Sequence, residues 1–347
     1  MTKQQISILL LAATYVGTVV GAGFSSGKEI VTFFSVHGAL GTIGIAISGI
    51  LFIVVGIKMM IISSRIQAYS YQQLNEYLFG RKVGKIVNLF IFVVVICVTS
   101  VMLSGAGAVF QEQLGLPFQM GIIATLIFCY IVVLKGLKGI FAINSYIVPL
   151  MILFGIFVAA SIISQHPHEL IGQVLPTKLP ESMSWVGSPF AYAAFNLMTA
   201  QVVLVPLGKE IRDEHVLKWG GFWGGLALTF ILLAIHLSLS FFPETFRHDI
   251  PMAEIIRHFG MVIHILYVFV IYGEIFNTVV GNIFGVSRQM KAALGLSFRT
   301  NVWIILFVIF VISQAGYGTL LSVLYPLFGY MGLVFLFFLL FKKTPER

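Results

Sequence analysis

Ten stretches of this chain are apolar over lengths that can cross about 30 Å of hydrocarbon, with only short polar connections between most of them. A chain so built has few ways to fold. Lipid offers no partner for a bare peptide group, so each stretch must satisfy its own backbone as a helix. The stretches run roughly over 6–36, 39–62, 85–110, 118–135 and 139–163, then 185–207, 217–242, 261–290, 300–314 and 318–341. The sequence is 59% hydrophobic and 10% charged, where soluble domains are about 45–50% apolar and about 25% charged. It therefore reads as an all-α polytopic membrane protein with the lipid bilayer as its surroundings. The formal charge of +8 lies in short loops, so no nucleic-acid surface is expected. Cys97 and Cys129 fall inside apolar runs and read as small buried residues. None of these features fixes an oligomeric state.

An even number of spans puts both termini on one side, and lysine and arginine decide which. With the N-terminus in the cytoplasm, 17 of the 21 basic residues lie on that side. Lys178, Arg247 and Arg257 lie outside, and Lys28 lies within the membrane. A multi-pass protein of the plasma membrane with cytoplasmic termini is expected. Residues 69–84 suit a short helix at the cytoplasmic surface, and a short external helix is expected after Pro251.

Five spans precede the proline-containing segment 164–184 and five follow it. Span starts in the two halves differ by 176 to 182 residues, and GKEI at 27–30 returns at 208–211. The domain reading is a first five-helix repeat over 1–163, an external linker over 164–184, and a second repeat over 185–347. Because five is odd, the second must be inserted upside down. Inverted repeats of this kind are a hallmark of secondary transporters, in which two corresponding helices are interrupted near mid-membrane.

Val16–Phe34 supplies one such interruption. Gly21, Gly23, Ser25, Ser26 and Gly27 stand at depth, followed by Lys28 and Glu29. Glycine costs about 1 kcal/mol relative to alanine in a helix, and ionisable groups at depth cost more. A break near Gly21, Ala22 and Gly23 is expected, with the binding site built there. The competing expectation is a continuous helix whose small residues allow close packing. Lys28 and Glu29 fit a gate or a salt bridge at its margin. Repeat logic places the matching break in span six, where Phe195, Asn196, Thr199, Gln201 and Pro206 cluster.

Glu274 is the deepest acid. At helical spacing it shares a stripe with Asn277, Thr278, Gly281 and Gly285. An ionisable group inside a membrane is a candidate functional group, for a proton, sodium or a substrate ammonium. The alternative is a structural carboxyl, protonated or paired with Lys28. Ser100 and Ser104 share a face of span three and are candidate contacts. No HExxH, GxSxG, P-loop or paired-cysteine zinc motif occurs, so no enzyme and no bound cofactor is expected.

GAGFSSGKEI in span one and FAYAAFNLMTAQVVLVPLG in span six resemble the YkvI-like membrane proteins. These are distant members of the amino acid–polyamine–organocation superfamily, with a LeuT-type 5+5 inverted fold. The resemblance implies a substrate held between spans one, three, six and eight. It also implies sodium between the carbonyls of Val19 and Val20 and the Thr278 hydroxyl, aided by Asn277. Only Thr278 is a hydroxyl there, and Glu274 is added, so coupling to protons stays open beside sodium. The half-helix N-terminus at Gly23–Ser26 suits a carboxylate, and hence an amino acid or related small solute. The functional expectation is an ion-coupled secondary transporter; the alternative is a small-molecule sensor of the same fold that moves nothing.

Overall fold

The computed structural model describes residues 2–135, 153–161, 183–211 and 213–346, with isolated positions at 150, 164 and 165. Its first helix, α1 (Lys3–Val19), opens on a capping box in which Thr2 Oγ1 accepts from the Gln5 amide and Gln5 Oε1 accepts from the Thr2 amide. It stops at the glycine cluster. Val20 and Gly21 are extended, α2 covers only Ala22–Ser26, and α3 runs Lys28–Phe33. Between α2 and α3 the chain turns at Gly27, whose φ of 81° is left-handed and disfavours any side chain. Span one is thus interrupted, as expected from its glycines.

A 3-10 turn at Ser35–His37 leads to α4 (Ala39–Arg65). Next come α5 (Tyr71–Ala108), a π turn at Val109–Gln113, and α6 (Phe118–Lys135). Gly80, at φ 77°, separates the short helix expected between spans two and three from the span itself. The fifth expected span, 139–163, lies outside the described residues apart from helical 153–161, and most of the linker 164–184 lies outside them too. The second half gives α7 (Ser184–Glu210), α8 (Glu214–Ser240), a 3-10 turn at Pro243–Arg247, and α9 (Pro251–Arg257), the short helix expected after Pro251. It closes with α10 (Met261–Leu294), α11 (Phe298–Ser313) and α12 (Tyr317–Phe341).

Span six is where the structure departs from expectation. α7 is continuous from Ser184 to Glu210, with Pro189 and Pro206 inside it. The polar residues taken as signs of a break bond within their own helix. Asn196 donates to the Tyr192 carbonyl, Thr199 to the carbonyls of Phe195 and Asn196, and Gln201 to that of Met198. Side-chain donors that bond back along the helix in this way need no opening of the backbone. Pro206 sits in the last turns, where few helical bonds remain to be lost.

Among the described residues, six helices are long and apolar enough to cross a membrane, and Gln4–Val19, Phe118–Leu134 and Phe298–Ser313 are shorter apolar helices. The outward faces of α6, α10, α11 and α12 carry exposed Ile127, Phe269, Phe307 and Phe337, which is the surface hydrocarbon requires. Inside, α1 packs along α8, α4 along α7 and α8, and α7 along α12. A second group forms where α5 meets α10, α11 and α6. At the end carrying Arg65, that side chain grips Glu214 through Nε at 2.8 Å and Nη2 at 3.0 Å, and donates Nη1 to the Pro345 carbonyl. The chain ends of α4, α8 and α12 are tied together there.

Candidate functional site at the helix break

Stopping α1 at Val19 leaves carbonyls at its C-terminal end without helical donors, the state of every helix terminus. The break is held open from three sides. Tyr267 of α10 donates its hydroxyl to the Ser25 carbonyl at 2.7 Å. Ser26 Oγ lies 2.9 Å from the Tyr317 hydroxyl of α12, and Ser25 Oγ donates to the Gly21 carbonyl. α2 also packs directly on α10, bringing the break beside the helix that carries Glu274.

Two buried acids serve this region. Glu274 is 1% exposed, and its Oε1 has no hydrogen-bond partner among the described residues. Asn277 is buried and Thr278 half-buried one turn further on. Among the described residues, a β-carbon added at Gly21, Gly281 or Gly285 would meet nothing within 4 Å, so open space adjoins both the break and the Glu274 stripe there.

Glu29 is the second acid, and sequence reasoning put it in the wrong place. It does not pair with Lys28. It is 4% exposed and turned inward, with its Cγ and Cδ 2.8 Å from where a β-carbon of Gly23 would stand and Oε1 closer still. The Tyr192 hydroxyl of α7 faces it, and Tyr317 and Tyr325 of α12 lie close enough to feel its charge. Phe195 stacks on Tyr325 with ring centroids 4.4 Å apart. Of the expected contacts, Gly23, Ser26, Phe195 and Asn196 gather here. Thr199 bonds back along α7, and Ser100 donates to the Ile96 carbonyl of its own helix. Ser104 Oγ is buried with no partner among the described residues. The expected carboxylate pocket at Gly23–Ser26 fares poorly. α2 has only five residues, so little dipole accumulates, and a carboxyl of the chain itself already lies against Gly23.

Lys28 faces the opposite way. Its Nζ donates to the carbonyls of Phe246 at 3.1 Å and His248 at 2.6 Å, far in sequence from Glu274, with Asp249 and Glu112 as its nearby opposite charges. Glu112 accepts from the amides of Asp249 and Ile250, Gln113 donates to Glu254, and His264 Nε2 lies 2.8 Å from Gln113 Oε1. Segment 243–257 is thereby clasped over the break from α3, the end of α5 and α10. Burial pushes the Asp249 carboxyl up, and the Lys28 ammonium pulls it back. His236 lies 3.0 Å from Ser35 Oγ through Nδ1, a structural role like that of His264.

The tyrosines were the residues missed. Tyrosine in membrane helices concentrates at the interfaces, so Tyr192 and Tyr325 deep within apolar runs were the available signal.

No protein-family model matches the chain. It is 45% identical over 348 residues to the uncharacterised membrane protein YkvI of Bacillus subtilis (strain 168), an alignment covering 100% of this chain and 99% of that one. Among solved structures, it resembles the manganese transporter of Eremococcus coleocola with a TM-score of 0.66 at 12% identity, covering 96% of this chain and 77% of that one. It resembles Mhp1, a nucleobase-cation-symport-1 family transporter, with a TM-score of 0.63 at 11% identity, covering 91% and 74% of the two chains. The fold is shared with these transporters across nearly the whole chain.

Proposed function

This chain belongs to the family of the membrane protein YkvI, and we propose that it is a secondary transporter working by alternating access. The observation that carries the proposal is the interrupted span one, lying against α10 with open space at Gly21, Gly281 and Gly285. Irregular backbone at membrane depth is tolerated where it lines a cavity, and transporters place their substrate there. The cross-pairing of α1 with α8 and of α4 with α7 supports two inverted five-helix repeats over 1–163 and 185–347, because exchanging span one with span six and span two with span seven turns each pairing into the other. Placement in the amino acid–polyamine–organocation superfamily and in the plasma membrane with cytoplasmic termini belongs to the same reading.

The substrate in this reading is an amino acid or a related small solute held by Gly21–Ser26, Glu274 and Asn277. Glu274, buried and with an unpartnered oxygen among the described residues beside the break, favours a solute that presents a hydrogen-bond donor such as an ammonium there. Among those residues no three His, Cys, Asp or Glu side chains gather, so nothing supports carrying the manganese of the structural neighbour over to this chain. Coupling is to sodium or protons. The free carbonyls at Val19 and Val20 with Thr278 suit the first, and Glu274 suits the second.

Purified protein in liposomes tests this. Solutes that raise the melting temperature, screened with and without sodium and across pH, are offered for uptake under an ion gradient. Accumulation against a gradient is expected, and saturable binding without flux would replace the transporter with a sensor. Glu274→Gln is expected to lower uptake at least about tenfold, since losing a hydrogen bond to a charged group costs about 1.5–3 kcal/mol and about 1.4 kcal/mol is tenfold in rate. Unchanged uptake with unchanged pH dependence would remove Glu274 from coupling.

A further inference from the structure

We propose that Glu29 is a proton-binding site of this protein, faced by Tyr192 with Tyr317 and Tyr325 nearby, and separate from the acid of the eighth span. The carboxyl is almost fully buried, and its Oε2 has no hydrogen-bond partner among the described residues. The Tyr192 hydroxyl facing it makes no hydrogen bond of ordinary geometry there either. Two buried polar groups thus face each other, and each is the partner the other has to hand. A carboxylate buried with neither a cation nor a full set of donors is strongly disfavoured, so it must be paired or neutralised.

Pairing is not what the neighbours offer. Lys28, adjacent in the chain, spends its ammonium on the carbonyls of Phe246 and His248. Of the elements packed against α3, α2 brings Ser26, α7 brings Tyr192, and α12 brings Tyr317 and Tyr325. α8 brings His236, whose Nδ1 is engaged with Ser35. No basic side chain among the described residues is bonded to Glu29.

Packing then selects the occupant. The acid is pressed against the Gly23 backbone, and the three phenol rings around it are closed off from solvent. No solute fits where a single methyl group would collide; a proton does. The chemistry is one bond: a proton joins Oε2 as an O–H that donates to the Tyr192 oxygen, and the same bond breaks when it leaves. Neutral Glu29 is one donor with remaining acceptor capacity, whereas ionised Glu29 is acceptor-only and must draw O–H groups from the tyrosines. Proton occupancy therefore sets how α3 is held against α7 and α12. Its use in driving transport rests on the reading given above; the binding of the proton does not.

Infrared difference spectroscopy of the full-length protein in lipid, titrated with acid and base, tests the site without any substrate. A protonated-carboxyl band that appears and disappears reversibly along the titration is expected. Glu29→Gln should abolish it, Tyr192→Phe should shift its frequency, and Glu274→Gln should leave it in place. Thermal denaturation supplies a second readout. Glu29→Gln should flatten whatever part of the pH dependence of wild-type stability comes from this carboxyl. A band and a pH profile that Glu29→Gln leaves untouched would overturn the proposal. Loss of the band in Glu29→Gln, with no flux in liposomes for wild type, would overturn the transporter reading and leave the proton site standing.

Discussion

Gly23→Ala is expected to leave the protein folded and to lower uptake by roughly five- to 150-fold. The added methyl meets no backbone; it meets the end of the Glu29 side chain, whose Cγ and Cδ would lie 2.8 Å away. A flexible end can move where a carbonyl cannot, so the fold survives. The carboxyl cannot stay against the break, however, because the added methyl would occupy the place it now holds. Overpacking of this kind typically costs about 1–3 kcal/mol. When that cost falls on only one of two conformations, it becomes a population shift of the stated size. Uptake of a stabilising solute, measured beside the melting temperature, checks it. A variant that loses both together would show that Gly23 serves stability alone.

The second large effect is expected at Lys28. Replacing it with Met keeps the length of the side chain and removes the ammonium that holds the carbonyls of Phe246 and His248. Hydrogen bonds to a charged group contribute about 1.5–3 kcal/mol, so losing this clasp should shift the balance toward an open external segment by roughly ten- to 100-fold. Asp249 then loses the cation that restrains its carboxyl, which rises further and weakens the clasp from its other side. A cysteine placed at buried Ser104, in a background without Cys97 and Cys129, reports the change. Its labelling by a membrane-impermeant thiol reagent should quicken in Lys28→Met. Equal labelling rates in both backgrounds would mean that the clasp does not govern access.

The spans and the break in the first of them were legible because both rest on costs that tertiary structure cannot waive. Apolar length must be helical in lipid, and glycines with charges at depth must have a reason. The second break was a symmetry argument, and symmetry does not see local bonding. Asn196, Thr199 and Gln201 found carbonyls one turn back and left α7 intact. The opposed directions of Lys28 and Glu29 were hidden for a different reason. Neighbours on a helix point about 100° apart, and the left-handed turn at Gly27 sets which of the two faces inward. The chamber around Glu29 was illegible as well, since Tyr192 and Tyr325 come from helices far apart in the chain and suit an apolar run as well as Phe does.

Gly27 has a mechanical consequence. The short helix before it is pinned to α10 through Tyr267, while the short helix after it is pinned to the external segment through Lys28. A left-handed glycine between two rigid pieces is a pivot. It lets the outer piece swing with the external segment while the inner piece stays seated beside the cavity. In a transporter built this way, the rate of opening would be set at the external segment and the hold on the solute at α10, two places joined by a single residue.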